Sequence, residues 1–181
     1  DLGAMLEGSG AVIVMVTDSA DAALGLGGQV VVLGHGRIIQ QGAVADVFAH
    51  PANLAAALAT SFPMLNTLPM QLHDGRGMLA DGSRFAPPDG LPMPAEGACT
   101  LAFRPDDTTL ERASPGCLRF VVRAAGEESL GGRRFVRVTF AGATWLAPQF
   151  AATIPPSGAV LNAFIDRSKL MTFDAAGEAV A

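Results

Sequence analysis

Tyrosine is missing altogether, and Trp145 is the only tryptophan in a chain of 181 residues. Unpaired bases bind by stacking on aromatic faces, so a platform for single-stranded nucleic acid is not expected. A basic excess is missing as well: the net charge is −5. Up to residue 60, Asp1, Glu7, Asp18, Asp21 and Asp46 oppose only Arg37, and the remainder is nearly balanced, with twelve acids and eleven bases. Neither part has the positive patch of a nucleic-acid binder, so no nucleic-acid partner is expected. Long apolar runs are also lacking. Ala11–Val16 is far shorter than the roughly 20 residues of a membrane-spanning helix. Cys99 and Cys117 are the only cysteines. Their spacing fits no zinc or redox motif, and both are expected as small core side chains. His35, His50 and His73 share no ligand-like spacing with a carboxylate or thiol, so no metal site is expected. The Gly-x-x-x-x-Gly-Lys-Ser/Thr loop that cradles phosphates is lacking. Gly25-Leu26-Gly27-Gly28 follows a helical stretch instead of a strand, which is the wrong order for a dinucleotide fingerprint.

Half of the residues are hydrophobic and 16% are charged, so the chain can bury a core. Residues 1–7 read as the end of a helix closed by Gly8-Ser9-Gly10. Ala11–Val16 is continuously apolar, the pattern of a strand buried on both faces of a parallel sheet. Asp18 or Ser19 can cap a helix over Ala20–Leu26. Strands are expected at Gln29–Leu33 and Arg37–Gln41, joined by a turn at Gly34-His35-Gly36 and stopped by Gly42. Val44, Val47 and Phe48 then share one helical face, and Asn53–Ala59 forms a second short helix after Pro51. A boundary is expected at residues 61–67. Beyond it, residues 81–97 are rich in Pro and Gly and read as loop. Strands are expected at Thr100–Phe103, Cys117–Ala124, Arg134–Phe140, Thr144–Ala147, Val160–Ile165 and Leu170–Phe173. Phe120, Val122 and Ala124 alternate onto one face, as do Val136, Val138 and Phe140, which suggests a small all-β barrel or sandwich.

The order of these segments carries a resemblance. Val16-Thr17-Asp18, the hairpin Gln29–Gly42, Pro51-Ala52-Asn53, Phe62-Pro63-Met64-Leu65-Asn66, Leu101-Ala102-Phe103-Arg104-Pro105-Asp106-Asp107, Leu130-Gly131-Gly132, Gly142 and Leu170–Asp174 with Gly177 follow one another as in the ATP-hydrolysing subunit of ABC importers. The chain resembles the closing segment of that subunit and, more narrowly, the sugar and glycerol-phosphate type. The resemblance implies an α+β chain: residues 1–60 as the end of an α/β nucleotide-binding domain, and residues 61–181 as an OB-like β-barrel of the TOBE type. On this reading Asp1 marks an interior point of a longer polypeptide, and residues 1–60 by themselves leave apolar surface exposed or pair with another copy.

The resemblance also assigns roles. In the family a strand ends in Val-Thr-His-Asp, and the His reaches the γ-phosphate of ATP. Asp18 stands at the position of that His. A carboxylate about 4 Å from a phosphate charge is opposed by roughly 4 kcal/mol at an effective dielectric of 20, so hydrolysis at this position is in doubt and the cap is the leading role for Asp18. Arg104, Pro105 and Asp106, with Phe173 and Asp174, are implied to anchor the β domain and to border the surface that regulatory partners touch. Pro105 also suits the first position of a helical turn, and the acids after it suit the turn's positive end. Glu127-Glu128 and Arg133-Arg134 read as the two charged ends of a solvated hairpin, with Arg133 or Arg134 as a lesser candidate for a small oxyanion. Implied for the full subunit are ATP and Mg, a membrane permease, a second ATP-binding subunit in a homodimer, and a location on the cytoplasmic face of the plasma membrane. No cofactor is expected for this chain alone. The alternative is a non-catalytic regulatory or small-anion-binding module.

Overall fold

The computed structural model describes residue 10 and residues 12–111, 116–149 and 153–180. The helix expected at residues 1–7 lies outside them. The chain divides into two units, Asp1–Phe62 and Pro63–Ala181.

In the first unit, helix α1 (Ala20–Leu26) leads to strands β1 (Gln29–Gly34) and β2 (Arg37–Ala43), followed by helices α2 (Val44–Ala49) and α3 (Leu54–Ala59). The two strands form an antiparallel hairpin. Its turn is made by His35 and Gly36, with φ of 49° and 73°, the primed turn whose twist matches the strands. Asn53 caps α3, its side chain accepting a 2.9 Å hydrogen bond from the Ala56 amide. Gln40 accepts from the Ala52 amide and donates to the His50 carbonyl, holding the loop after α2 against β2. Gly42 does not stop β2, which runs on to Ala43.

The strand expected at Ala11–Val16 is not formed. Ala11 lies outside the described residues, and residues 12–17 are irregular. Val12, Val14 and Val16 are 94%, 84% and 91% exposed. A parallel strand takes its hydrogen bonds from its neighbours, and among the described residues no strand pairs with this segment. Val31, Leu33 and Ile38 of the hairpin are exposed as well, so the first unit does present apolar surface.

Every strand pairing described in the second unit is antiparallel. One five-stranded sheet has the order β10 (Ala143–Pro148), β9 (Arg133–Phe140), β8 (Cys117–Leu130), β11 (Val160–Asp166), β7 (Thr108–Thr109). The other has the order β12 (Met171–Phe173), β6 (Gly97–Phe103), β3 (Asn66–His73), β4 (Arg76–Met78), β5 (Arg84–Phe85). Their inner faces share one core. Leu68, Met70, Leu72 and Leu101 come from one sheet; Phe120, Val122, Val136, Val138, Trp145 and Ile165 come from the other. The alternations at Phe120–Ala124 and Val136–Val138 thus point inward as their period requires. Phe103, Phe120 and Phe140 surround Trp145 with ring centroids 5.0–5.3 Å away.

β3 escapes the sequence reading because Pro69 interrupts it. The structure shows why proline is tolerated. β4 pairs only with Gln71–His73, so on that side no neighbour faces Pro69 to require an N–H. Asn66, Leu68, Met70 and Leu72 are buried while Pro69, Gln71 and His73 are exposed, a strict period of two. β8 and β9 meet at Leu130 and Arg133 across Gly131-Gly132, both with positive φ. β8 itself runs longer than expected, absorbing an irregularity between Ala124 and Gly126.

Candidate functional site

Asp18 lies in the first unit, exposed, in the bend that precedes α1. The helix cap is Ser19, not Asp18: Ser19 Oγ accepts from the Ala22 amide at 3.2 Å, while the Ser19 amide donates to Thr17 Oγ1 at 3.0 Å. Asp18 is therefore spared the capping role and is presented at the end of the segment in question.

The other candidate residues belong to the second unit. Pro105–Asp107 is one turn of 3₁₀-helix with proline at its start, as the sequence suggests. Arg104 precedes it, half-buried, and its Nη1 donates to Met171 Sδ at 3.9 Å. Burial lowers the Arg104 pKa, with Asp107 working the other way. Burial raises the Asp107 pKa; Arg104 and Lys169 oppose that shift. The result is a half-buried pair of charges, Arg104 and Asp107, at the junction of β6 and the 3₁₀ turn. Lys169, exposed, acts on Asp107 from outside this pair and carried no sequence signal.

The neighbouring Asp106 also raises the Asp107 pKa. It forms a two-pronged ion pair with Arg133, whose Nη2 meets Asp106 Oδ1 and whose Nη1 donates to Oδ2 at 3.2 Å. The same guanidinium lies over the Phe135 ring, 5.0 Å from its centroid. The charge of Arg133, a candidate for an oxyanion, is thus engaged with a carboxylate. Arg134 pairs with Glu127 at 3.8 Å and Arg137 with Glu128 at 3.0 Å, the solvated hairpin that the sequence suggests. Both partners of the Arg133–Asp106 pair are close to half exposed, so water screens them and the pair stabilises by about 0.2–1 kcal/mol. A double-mutant cycle with Arg133→Ala and Asp106→Ala should give a coupling in that range at low salt and almost none at about 1 M. A salt-independent coupling would contradict it.

Phe173 is fully buried, so its ring serves the core. Asp174 Oδ1 accepts from the amides of Ala176 and Glu178, both at 2.9 Å, which closes the last turn. Cys99 and Cys117 are free thiols. Cys99 is buried, and burial raises its pKa; Cys117 is half-buried.

His73, Asp74 and Glu96 bring ligand-type atoms within 4.8 Å of one another, which their spacing in sequence hides. The imidazole lies between the carboxylates, Nδ1 3.3 Å from Glu96 Oε2 and Nε2 3.4 Å from Asp74 Oδ2. The Glu96 pKa is lowered, first by the hydrogen bond from the Asp74 amide and then by His73. All three side chains are exposed. Two hollows, about 230 and 340 Å³, open in the second unit. The smaller has no charged lining residue, and the larger has Arg167 opposed by Asp89, so neither concentrates positive charge for an anion.

No family model matches the chain. Curated relatives do. It is 35% identical over 130 residues to the sulfate/thiosulfate import ATP-binding protein of Mesorhizobium japonicum, covering 70% of this chain and 35% of that protein. It is 32% identical over 137 residues to the protein of the same description from Brucella melitensis, covering 75% and 36%. A molybdate/tungstate import ATP-binding protein of Pyrococcus abyssi is 26% identical over 156 residues, covering 86% and 40%. The chain spans a little over a third of the length of these relatives. Its homologues are ATP-binding subunits of ABC importers.

Proposed function

We propose that this chain is part of the ATP-binding subunit of an ABC importer, in which ATP and Mg are bound by the whole subunit and not by these residues alone. The observation that carries the reading is the similarity to import ATP-binding proteins over 70–86% of the chain. The ordered motifs from Val16-Thr17-Asp18 to Phe173-Asp174 support it. The chain's own residues do not fit a nucleotide. Residues 1–60 supply one arginine, Arg37, on an exposed hairpin, and Asp18 sets a negative charge where a phosphate contact is implied. Phosphates require clustered amides and a cation, so no catalytic step is drawn through this chain alone.

The finer reading follows from the same resemblance. The first unit is the end of the nucleotide-binding domain. The second is a TOBE-type, OB-like domain that serves dimerisation and regulation, and its antiparallel β architecture is consistent with that. The partners are a membrane permease and a second ATP-binding subunit, at the cytoplasmic face of the membrane. Among the described residues no helix is long and apolar enough to cross a bilayer. The names of the relatives favour an inorganic oxyanion as cargo over the sugar type that the Met64-Leu65-Asn66 junction suggests. The Asp106 carboxylate on Arg133 weighs against Arg133 as an oxyanion ligand in the alternative, a non-catalytic regulatory or small-anion-binding module.

Two measurements test the proposal. The native gene product should be photolabelled by azido-ATP in the presence of Mg, whereas residues 1–181 alone should not. In the native protein Asp18→His should raise ATP hydrolysis by about tenfold or more, as expected when a repelling carboxylate gives way to a donor on the transferred phosphoryl group. A native protein that binds no ATP overturns the importer reading. Unchanged hydrolysis removes Asp18 from the site.

A further inference from the structure

The three arginines at the start and middle of β9 all have acidic partners: Arg133 with Asp106, Arg134 with Glu127, Arg137 with Glu128. Arg119 and Arg123 of β8 differ. Both are exposed, and among the described residues neither has a carboxylate within ion-pair distance. The register sets Arg119 opposite Phe164, Val121 opposite Asn162 and Arg123 opposite Val160. Alternation sends Phe120, Val122, Ala163 and Ile165 into the core, so these six side chains form one outward grid on β8 and β11.

The make-up of that grid is unusual for a solvated sheet face. Val121 is 55% and Val160 59% exposed, and Phe164 is half-buried. Beside the grid, Thr139 stands opposite Arg123 and Thr109 opposite Phe164, while Asp166, the next outward residue of β11, is engaged by the Ser168 amide and hydroxyl. None of its six side chains is acidic, in a chain of net charge −5. Arginine and aromatic side chains around an apolar centre are the composition enriched at protein interfaces.

We propose that the outer face of β8 and β11 docks an acidic segment of another protein. Its carboxylates meet Arg119 and Arg123, and its apolar side chains cover Val121, Val160 and Phe164. The two arginines are four residues apart on one strand, a separation of about 13 Å. The complementary acids therefore stand about four residues apart in an extended segment, or about two turns apart on a helix. A second copy using the same face is disfavoured, because a two-fold axis sets arginines near arginines. Nucleic acid is disfavoured because Phe164 is the only aromatic on the grid and no row of stacking rings exists. This inference stands independently of the importer reading.

The test is a photoreactive benzoylphenylalanine at Val121 of the native protein in its source cells, with the cross-linked peptide identified by mass spectrometry. The partner is then purified and its affinity measured. The expected result is a protein segment with acids at the stated spacing. Arg119→Glu with Arg123→Glu should weaken its binding at least tenfold, and Arg119→Ser with Arg123→Ser several-fold, with an unchanged melting temperature. Raising salt from about 50 to about 300 mM should weaken binding further. Arg37→Glu, in the other unit, should have no effect. Cross-linking only to nucleic acid or to a second copy overturns the proposal, as does a partner segment without acids, affinity insensitive to both double variants, or no cross-link at all.

Discussion

Trp145→Ala should destabilise the protein by about 3–5 kcal/mol, the range for deleting a buried indole. Trp145 is fully buried and is the hub of the second unit's core. It meets Phe103 and Phe120 edge-on and stacks on Phe140, and such aromatic pairs add about 0.5–1.5 kcal/mol each beyond their area. Its Nε1 donates to the Thr67 carbonyl at 2.9 Å, a polar anchor between β10 and β3. Trp145→Phe retains most of the ring contact and abandons the anchor, so it should cost about 1–2 kcal/mol. Urea denaturation followed by circular dichroism checks both variants. A loss below about 1 kcal/mol for the alanine variant would mean that the core collapses onto the vacancy and that Trp145 is not its hub.

Asn66→Ala should cost about 2–4 kcal/mol, although alanine fits a strand well enough. Asn66 is 2% exposed, and its side chain imitates a strand residue. Nδ2 donates to the Leu146 carbonyl at 2.9 Å and Oδ1 accepts from the Leu146 amide at 2.8 Å. With the indole bond to Thr67, these contacts join β3 to β10, strands of different sheets. Removing the amide leaves two backbone groups unpaired, at about 1–3 kcal/mol each when buried. Asn66→Asp provides a sharper test. A carboxylate accepts from the Leu146 amide but repels the Leu146 carbonyl, so neutral pH is unfavourable. Burial raises the pKa of the introduced acid above its unfolded value. The folded state then binds the proton more tightly, and stability rises as pH falls through the raised pKa. The deficit relative to wild type should shrink between about pH 7 and about pH 5, read from urea midpoints. A deficit independent of pH would contradict the carbonyl clash.

Much of the second unit was legible because a strand advertises itself locally. Phe120–Ala124 and Val136–Val138 alternate with period two and were read correctly. β3 alternates just as well at Asn66, Leu68, Met70 and Leu72, and Asp74-Gly75 is among the strongest short hairpin signals. Pro69 obscured both, because a proline suggests an unpaired strand and only the short reach of β4 shows that no hydrogen bond is lost. The first unit gave the opposite error. Ala11–Val16 has the composition of a buried strand, yet composition cannot supply neighbours, and residues 12–17 stay irregular.

The candidate residues divide in the same way. Pro105 at the start of a turn is fixed by φ, and the resemblance of the ordered motifs to importer ATP-binding subunits is a property of the sequence that the relatives bear out. So are the net charge and the shortage of aromatic rings. Tertiary structure alone decided the rest. It joined Asp106 to Arg133 across 27 residues and Asn66 to Leu146 across 80. It gathered His73, Asp74 and Glu96, buried Phe173, and left Arg119 and Arg123 without an ion-pair partner among the described residues. Dihedral preferences and alternation act within a few residues. Which charges meet, and which remain unmet, depends on strand register, where a slip of one residue turns every side chain to the other face.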